Sequence, residues 1–302
     1  MAQDWPNKPI RLVINFAPGS SPDVLGRAVA TPLSQALGVP VVVENRSGGG
    51  GLVGIEAVAR SRPDGLTIGL ASSGVLTVQP HLTQQMPFDA LRDIAPIGMV
   101  ISVPQILTVN PNLPVRDLRE FIARAKAEPG KLSYGSAGIG SSLHMSMELL
   151  KQLSGIDVVH VPYRGAAPAV TDAVAGRIEI LMADVPAILS QVRGGTLRPL
   201  GISAPKRLDI LPDLPTLVEA GLPDMICDTS YGLVAPAGTP ADRITLLRNA
   251  MVAALNDPET RQAFAAQGGT LVGGTPEEFT QSIREGSARW GQVVRAGNIK
   301  LE

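Results

Sequence analysis

The chain has 302 residues, of which 44% are hydrophobic, 3% aromatic and 18% charged, and its formal net charge is -1. That is apolar material enough for one large or two ordinary domains with buried cores, and the near-zero charge excludes the basic footprint of a nucleic-acid binder. No apolar run reaches the ~18 residues of a bilayer-spanning helix, and a single cysteine, Cys227, excludes an internal disulfide or a cysteine-ligated zinc cluster.

The N-terminus, Met1-Ala2-Gln3-Asp4-Trp5-Pro6, lacks a basic segment followed by an apolar one and so does not read as a signal peptide. Met1 opens either a cytoplasmic protein or a chain from which an export signal has been removed. The sequence then predicts a strand over 10–16, a turn over 17–23 and a helix over 24–37, with Val24, Leu25, Ala28, Val29, Leu33 and Leu37 as its apolar stripe. Ser21 suits the N-cap, Pro22 the first turn and Gly38 the helix end. A buried-type strand follows over 40–46. Glycines 48–51 open a second helix reaching about 61, and a third strand over 66–73 ends in Ser72 and Ser73. Short β-branched runs separated by helices predict parallel α/β architecture.

The pattern restarts with a strand over 104–110, a helix over 115–127, and a strand over 131–138 that runs into a glycine loop. The helix over 141–153 carries Leu143, Met147, Leu150 and Leu153 on one side and ends at Gly155. Strands over 158–161, 178–182 and 197–202 follow, with a helix near 168–175. After a passage containing Pro212, Pro215 and Pro223, helices over 240–254, 258–267 and 276–296 close the chain. The reading is two α/β lobes with a C-terminal helical block.

Two loops carry the candidate chemistry: Phe16-Ala17-Pro18-Gly19-Ser20-Ser21-Pro22-Asp23 and Tyr134-Gly135-Ser136-Ala137-Gly138-Ile139-Gly140-Ser141-Ser142. Each leaves a strand and opens a helix, which is where ligands sit in α/β sheets. Glycine permits close backbone approach, serine adds hydroxyl donors, and the helix N-terminus adds unpaired N–H groups and a positive dipole end. Either loop alone is also ordinary turn chemistry; two on separate lobes form a clamp for a carboxylate. A nucleotide fits poorly, because the third glycine of a dinucleotide fingerprint starting at Gly138 falls on Leu143 and no Gly-Lys-Ser/Thr loop occurs. A hydrolase would have to use Ser136 with His144, but Tyr134 stands where a nucleophile elbow needs glycine, and no carboxylate is placed to complete a triad. No histidine pair or dense carboxylate loop suggests a metal. Asp184, at a strand end before Pro186, reads either as a helix N-cap or as an acid facing the cleft, suited there to a ligand amine or ring N–H. His160, alternating with valines, reads as a satisfied strand residue.

Together these segments resemble a known family. Residues 14–23, Val43-Glu44-Asn45-Arg46 with its glycine tract, residues 134–144, His160-Val161-Pro162-Tyr163-Arg164-Gly165, residues 168–172, residues 214–221, and Leu233-Val234-Ala235-Pro236-Ala237-Gly238-Thr239-Pro240 are similar, in order, to the Bug-type (TctC-like) extracytoplasmic solute-binding receptors of tripartite tricarboxylate transporters. The resemblance implies an α/β fold of the type II periplasmic binding protein kind, with two α/β domains around a ligand cleft: residues 1–102 with 228–302, and 103–227. It implies a monomeric, non-enzymatic periplasmic receptor without cofactor or metal, whose partners are a small carboxylate (a dicarboxylate, acidic amino acid or aromatic acid) and the transporter's membrane subunits. A ligand sensor of the same fold with a signalling partner is the alternative. On this reading Ala17, Gly19, Ser20, Ser21 and Asp23 bind from the first domain, with Ser72 and Ser73 on the same wall. Ser136, Ala137, Gly138, Gly140, Ser141 and His144 bind from the second, and Tyr163 and Asp184 select the body of the ligand. Two positions depart from the family pattern: Ser20 stands where a second glycine is frequent, and Tyr231 where tryptophan is.

Overall fold

A computed structural model of the chain describes residues 5–300; residues 1–4, on which the export-signal reading turns, lie outside them. The first strand, β1 (Ile10–Ile14), leads through residues 15–20 into α1 (Ser21–Leu37), which buries Leu25, Val29 and Leu33 along the predicted stripe. Gly38 ends α1 at φ 68, its N–H donating to the Ser34 carbonyl. β2 (Val41–Asn45) and β3 (Thr67–Ser72) flank β1 in parallel, with α2 (Leu52–Ala59) crossing between them after a turn at 49–51. Two short helices, α3 (Ser73–Thr77) and α4 (Gln79–Leu82), follow.

The long β4 (Ile94–Val109) leads out of this sheet. Beyond it come α5 (Leu118–Ala127), β5 (Ser133–Ser136), α6 (Ser142–Ser154), β6 (Val159–Pro162), α7 (Ala166–Val174), β7 (Ile180–Asp184), α8 (Val185–Arg193) and β8 (Arg198–Ile202), with β6, β5 and β7 parallel. The chain returns through β9 (Asp228–Pro236) and ends with α9 (Ala241–Asn256), α10 (Pro258–Ala266), the short β10 (Thr270–Leu271) and α11 (Pro276–Ala296). The strand order is β2-β1-β3-β9-β4-β7-β5-β6, with β8 and β10 also paired to β4.

β4 belongs to both sheets. Its residues 94–104 pair with β9, which pairs in turn with β3; its residues 105–109 pair with β7 and β8. All of these pairings are antiparallel, so the expected all-parallel sheet is interrupted at its centre. The early part of β4 was hidden because Pro96 and Gly98 break its apolar run; the structure accommodates them at register shifts, where a missing N–H does no harm.

Two cores result. Ile10, Leu12, Ile14, Leu25 and Leu33 pack with Leu233, Leu247 and Met251 around the first sheet. Leu107, Val109, Phe121, Tyr134, Met147 and Leu150 pack around the second, joined by Val78 and Leu82 beside and on α4 and by Trp290 and Val294 of α11. The cleft lies where the loops after β1, β3, β5 and β7 meet.

Candidate functional site

The first loop is held in shape by an acid. Gly19 takes φ +79, a conformation natural to glycine, and donates its N–H to Asp23 Oδ2 at 2.9 Å. Asp23 Oδ1 accepts from Arg27 Nε at 3.0 Å and Asn45 Nδ2 at 2.9 Å. Burial pushes the Asp23 carboxyl up, but the bonds from Arg27, Gly19 and Asn45 outweigh it and hold it below the usual carboxylate range. Asp23 therefore stands ionised behind the loop. Ser20 Oγ donates to the Ala17 carbonyl at 2.6 Å.

The second loop is held by neutral rings. Ser136 Oγ accepts the Gly138 N–H at 3.1 Å and lies 2.6 Å from His160 Nε2. The Gly140 N–H donates to His144 Nδ1 at 3.2 Å. The two imidazoles stack 4.0 Å apart, and Tyr134 lies near-parallel to both, its ring centre 4.8 Å from His160 and 6.4 Å from His144. The Tyr134 hydroxyl donates to Glu148 Oε1 at 2.6 Å, and Lys151 pairs with the same carboxylate at 2.8 Å. Burial depresses both histidines, His144 to about 4 and His160 to about 3, so both are neutral at pH 7, and His144 accepts through Nδ1.

This arrangement corrects the pairing on which a hydrolase reading would rest. The partner of Ser136 is His160, not His144, and Ser136 is wholly buried. Glu148 bonds to Tyr134 and Lys151, and among the described residues no carboxylate bonds either imidazole. The geometry is that of a brace, without the third group of a triad.

The loops converge on one cavity. Phe16, Ser20, Ser21 and Pro22 come from the start of α1, and Ala137, Ser141, Ser142 and Leu143 from the start of α6. Asp184, Thr229 and Tyr231 form the far end, and Ser72 and Ala166 complete the lining. The cavity measures about 20 Å³, room for about one water. Asp184 is the N-cap residue of α8, yet its carboxylate makes no capping bond. It accepts instead from Thr229 Oγ1 at 2.6 Å and from the Tyr231 hydroxyl at 2.5 Å. Gln105 Nε2 donates to Thr229 at 3.0 Å behind this pair. Burial raises the Asp184 carboxyl to about 6 even against these donors. Ser21 Oγ, beside the same carboxylate and 1% exposed, has no aligned hydrogen-bond partner.

A larger compartment of about 360 Å³ adjoins this cavity and shares Phe16 and Ala137 with it. Gly48, Gly49, Gly50, Leu52, Gln79, Gly138, Ile139, Pro162, Tyr163 and Arg164 are among its lining. Its two walls touch: Gln79 Nε2 donates to the Ile139 carbonyl at 2.7 Å and to the Gly49 carbonyl at 3.3 Å. A second contact across the cleft runs from the Gly74 N–H to Ser142 Oγ at 3.1 Å.

Of the residues singled out in the sequence, Ser20, Ser21, Ser72, Ala137, Ser141 and Asp184 line the inner cavity. Ala137, Gly138 and Tyr163 line the outer compartment, where Tyr163 presents its ring while its hydroxyl is tied to Asp172 at 2.9 Å. Ser73 faces a separate hollow beside α11. Ala17, Gly19, Asp23, Ser136, Gly140 and His144 line neither compartment; their bonds hold the two loops from behind. Reasoning from sequence assigned no binding role to Ser142, although it stands in the second loop, nor to Leu143, Ala166 and Thr229. Ser142 was legible as a neighbour of Ser141, but Thr229 reaches Asp184 across 45 residues and left no local signal.

Two α/β sheets sharing a crossing strand, with helix N-termini from both aimed into the cleft between them, define a type II periplasmic binding protein fold. More narrowly, the chain belongs to the tripartite tricarboxylate transporter receptor family, TctC, whose profile matches residues 25–299. It is 37% identical over 302 residues to protein BugT of Bordetella pertussis, covering 100% of this chain and 93% of BugT. A solved periplasmic transporter superposes with a TM-score of 0.95 at 41% identity, covering 99% of this chain and 100% of that one. R. palustris Rpa4515, solved with adipate, superposes with a TM-score of 0.95 at 32% identity, covering 98% of this chain and 99% of the other. The family is one of solute-binding receptors.

Proposed function

We propose that this protein is a periplasmic receptor that captures a small carboxylate in the cleft and hands it to the membrane subunits of a tripartite tricarboxylate transporter, as a monomer and without catalysing a reaction. The observation that carries this reading is the convergence of α1 and α6 on a buried cavity lined by the hydroxyls of Ser20, Ser21, Ser72, Ser141 and Ser142. Each helix N-terminus favours a nearby anion by about 0.3–1 kcal/mol, whereas micromolar affinity needs about 8 kcal/mol. Most of the binding energy therefore comes from hydrogen bonds and burial, and the dipoles set where the carboxylate goes.

On this reading Ser20, Ser21, Ser72, Ala137, Ser141 and Asp184 touch the ligand, and Gly138 and Tyr163 shape the space around its body. Ala17, Gly19, Asp23, Ser136, Gly140 and His144 hold the walls, with Ser73 at the edge. Residues 1–102 with 228–302 and residues 103–227 move as two bodies about β4 and β9. The inner cavity is too small for an acid, so the bodies part to admit one and close on it, driven by the ligand's tighter binding to the closed form. The adipate in Rpa4515 supports a small carboxylate as the ligand class.

A thermal-shift screen against aliphatic and aromatic mono- and dicarboxylates tests the proposal. A ligand at 100 times its Kd stabilises the folded state by about 2.7 kcal/mol, which raises Tm by several degrees in a protein of this size. If no carboxylate in the panel moves Tm, the reading fails.

A further inference from the structure

The charges in the cleft are distributed unevenly. The inner cavity has one carboxylate in its lining, Asp184, and no basic side chain. The outer compartment has the reverse, one basic side chain, Arg164, and no carboxylate. Building on the carboxylate-receptor reading above, we infer that the outer compartment is a second anion subsite, in which Arg164 binds a distal acidic group and makes the protein select dicarboxylates over monocarboxylates.

Arg164 is placed for such a role. Tyr163 before it is anchored through its hydroxyl to Asp172 at 2.9 Å, and Asp172 is itself paired with Arg177. Gly165 after it caps α7 at φ +126, where a Cβ would lie 3.6 Å from that of Ala17. The backbone is thus fixed on both sides while the Arg164 side chain stays exposed. Asp172 and Arg177 already satisfy each other, and no described residue bonds or pairs with Arg164. Its planar fork of donors matches a carboxylate in two-bond geometry, which a lysine does not provide.

The rest of the compartment suits the body of a diacid. Gly48, Gly49 and Gly50 all take positive φ and leave one wall without side chains. Phe16, Leu52, Ile139 and Pro162 offer apolar surface to methylenes or a ring. The inner end receives its carboxylate from neutral donors and helix N-termini beside an acid already buried there, so a second full negative charge is better accommodated away from Asp184. The outer compartment, some eighteen times the volume of the inner, is the place for it.

Calorimetric titration of the full chain with acid pairs that differ only in the distal carboxylate tests this: adipate against hexanoate, succinate against butyrate, terephthalate against benzoate. In the best-binding pair the wild type should favour the diacid by about tenfold or more, the gain expected of one charge-assisted contact. Arg164→Gln should bring the ratio near unity with Tm unchanged in the absence of ligand, and Arg164→Lys should restore part of it. An unaltered ratio in Arg164→Gln, or a wild type that favours the monoacid, overturns the subsite while leaving carboxylate capture intact. If neither member of any pair binds, the receptor reading fails and the subsite with it.

Discussion

The two loops that frame the cleft look alike in sequence and are supported by opposite chemistries. The loop after β1 hangs on an ionised carboxylate, Asp23, with Arg27 and Asn45 behind it. The loop after β5 hangs on two neutral stacked imidazoles, His144 and His160, closed off by Tyr134 and Glu148. Both supports achieve the same end, spending the spare N–H groups of their own glycines so that the loop keeps one shape. The difference shows that in a glycine–serine loop the polar residues most conspicuous in sequence are those that fix the loop. The groups facing the cavity are the plainer ones at the helix starts: Ser21, Ser141, Ser142 and Leu143.

The sharpest way to break this picture is at Gly138, which takes φ +115 and whose Cβ would lie 3.2 Å from the Tyr163 carbonyl and 3.3 Å from the Gly50 nitrogen. Gly138→Val should lose ligand affinity by about a hundredfold or more while costing roughly 1–2 kcal/mol of stability for the left-handed conformation. Calorimetry and denaturant melts read the two effects separately, and normal affinity in this variant would show the site to be misassigned.

Next in size is the acid at the far end of the cavity. Tyr231→Phe removes a donor to the Asp184 carboxylate and should cost about 1.5–3 kcal/mol, the range for hydrogen bonds to charged groups. It should also raise the Asp184 carboxyl above its value of about 6. A bound anion pushes that carboxyl in the same direction, so the liganded protein holds more protons and the affinity of the wild type should rise as pH falls toward 6, levelling off below it. An affinity flat from pH 8 to 5 would place the ligand's charge away from Asp184.

The comparison of the two supports is tested by pH. Unfolded histidine titrates near 6.5, whereas folded His144 and His160 titrate near 4 and 3. The unfolded state therefore takes up protons first, and the support given by the rings is complete above about 6.5 and drains away as pH falls below it. Asp23, held below its ordinary 3.8, keeps its contribution until pH falls beneath that value. His160→Gln should flatten the fall of Tm between pH 6.5 and 4, whereas Asp23→Asn should leave that slope alone and change only the more acidic limb. Equal slopes in the two variants would remove the distinction between the loops.

Much of the framework could be read directly from the chain. The run 10–16 followed by proline, glycine and serine announces strand, turn and helix, and α1 forms there because its apolar spacing has a face to bury. What could not be read is whatever depends on distant register. Ser136 finds His160 24 residues away, and Asp184 finds Tyr231 47 residues away, through strand pairings that local pattern does not encode. The first half of β4 was concealed by Pro96 and Gly98, and with it the antiparallel centre that brings Thr229 and Tyr231 to the cleft floor.

The most direct test is a crystal structure of the protein with the acid that binds it best. The account predicts one carboxylate within hydrogen-bond distance of Ser21 Oγ and the first N–H groups of α6, with the body of the ligand extending between Phe16 and Ile139 toward Arg164. An acid seated elsewhere, such as in the hollow between α11 and Ser73, would contradict it.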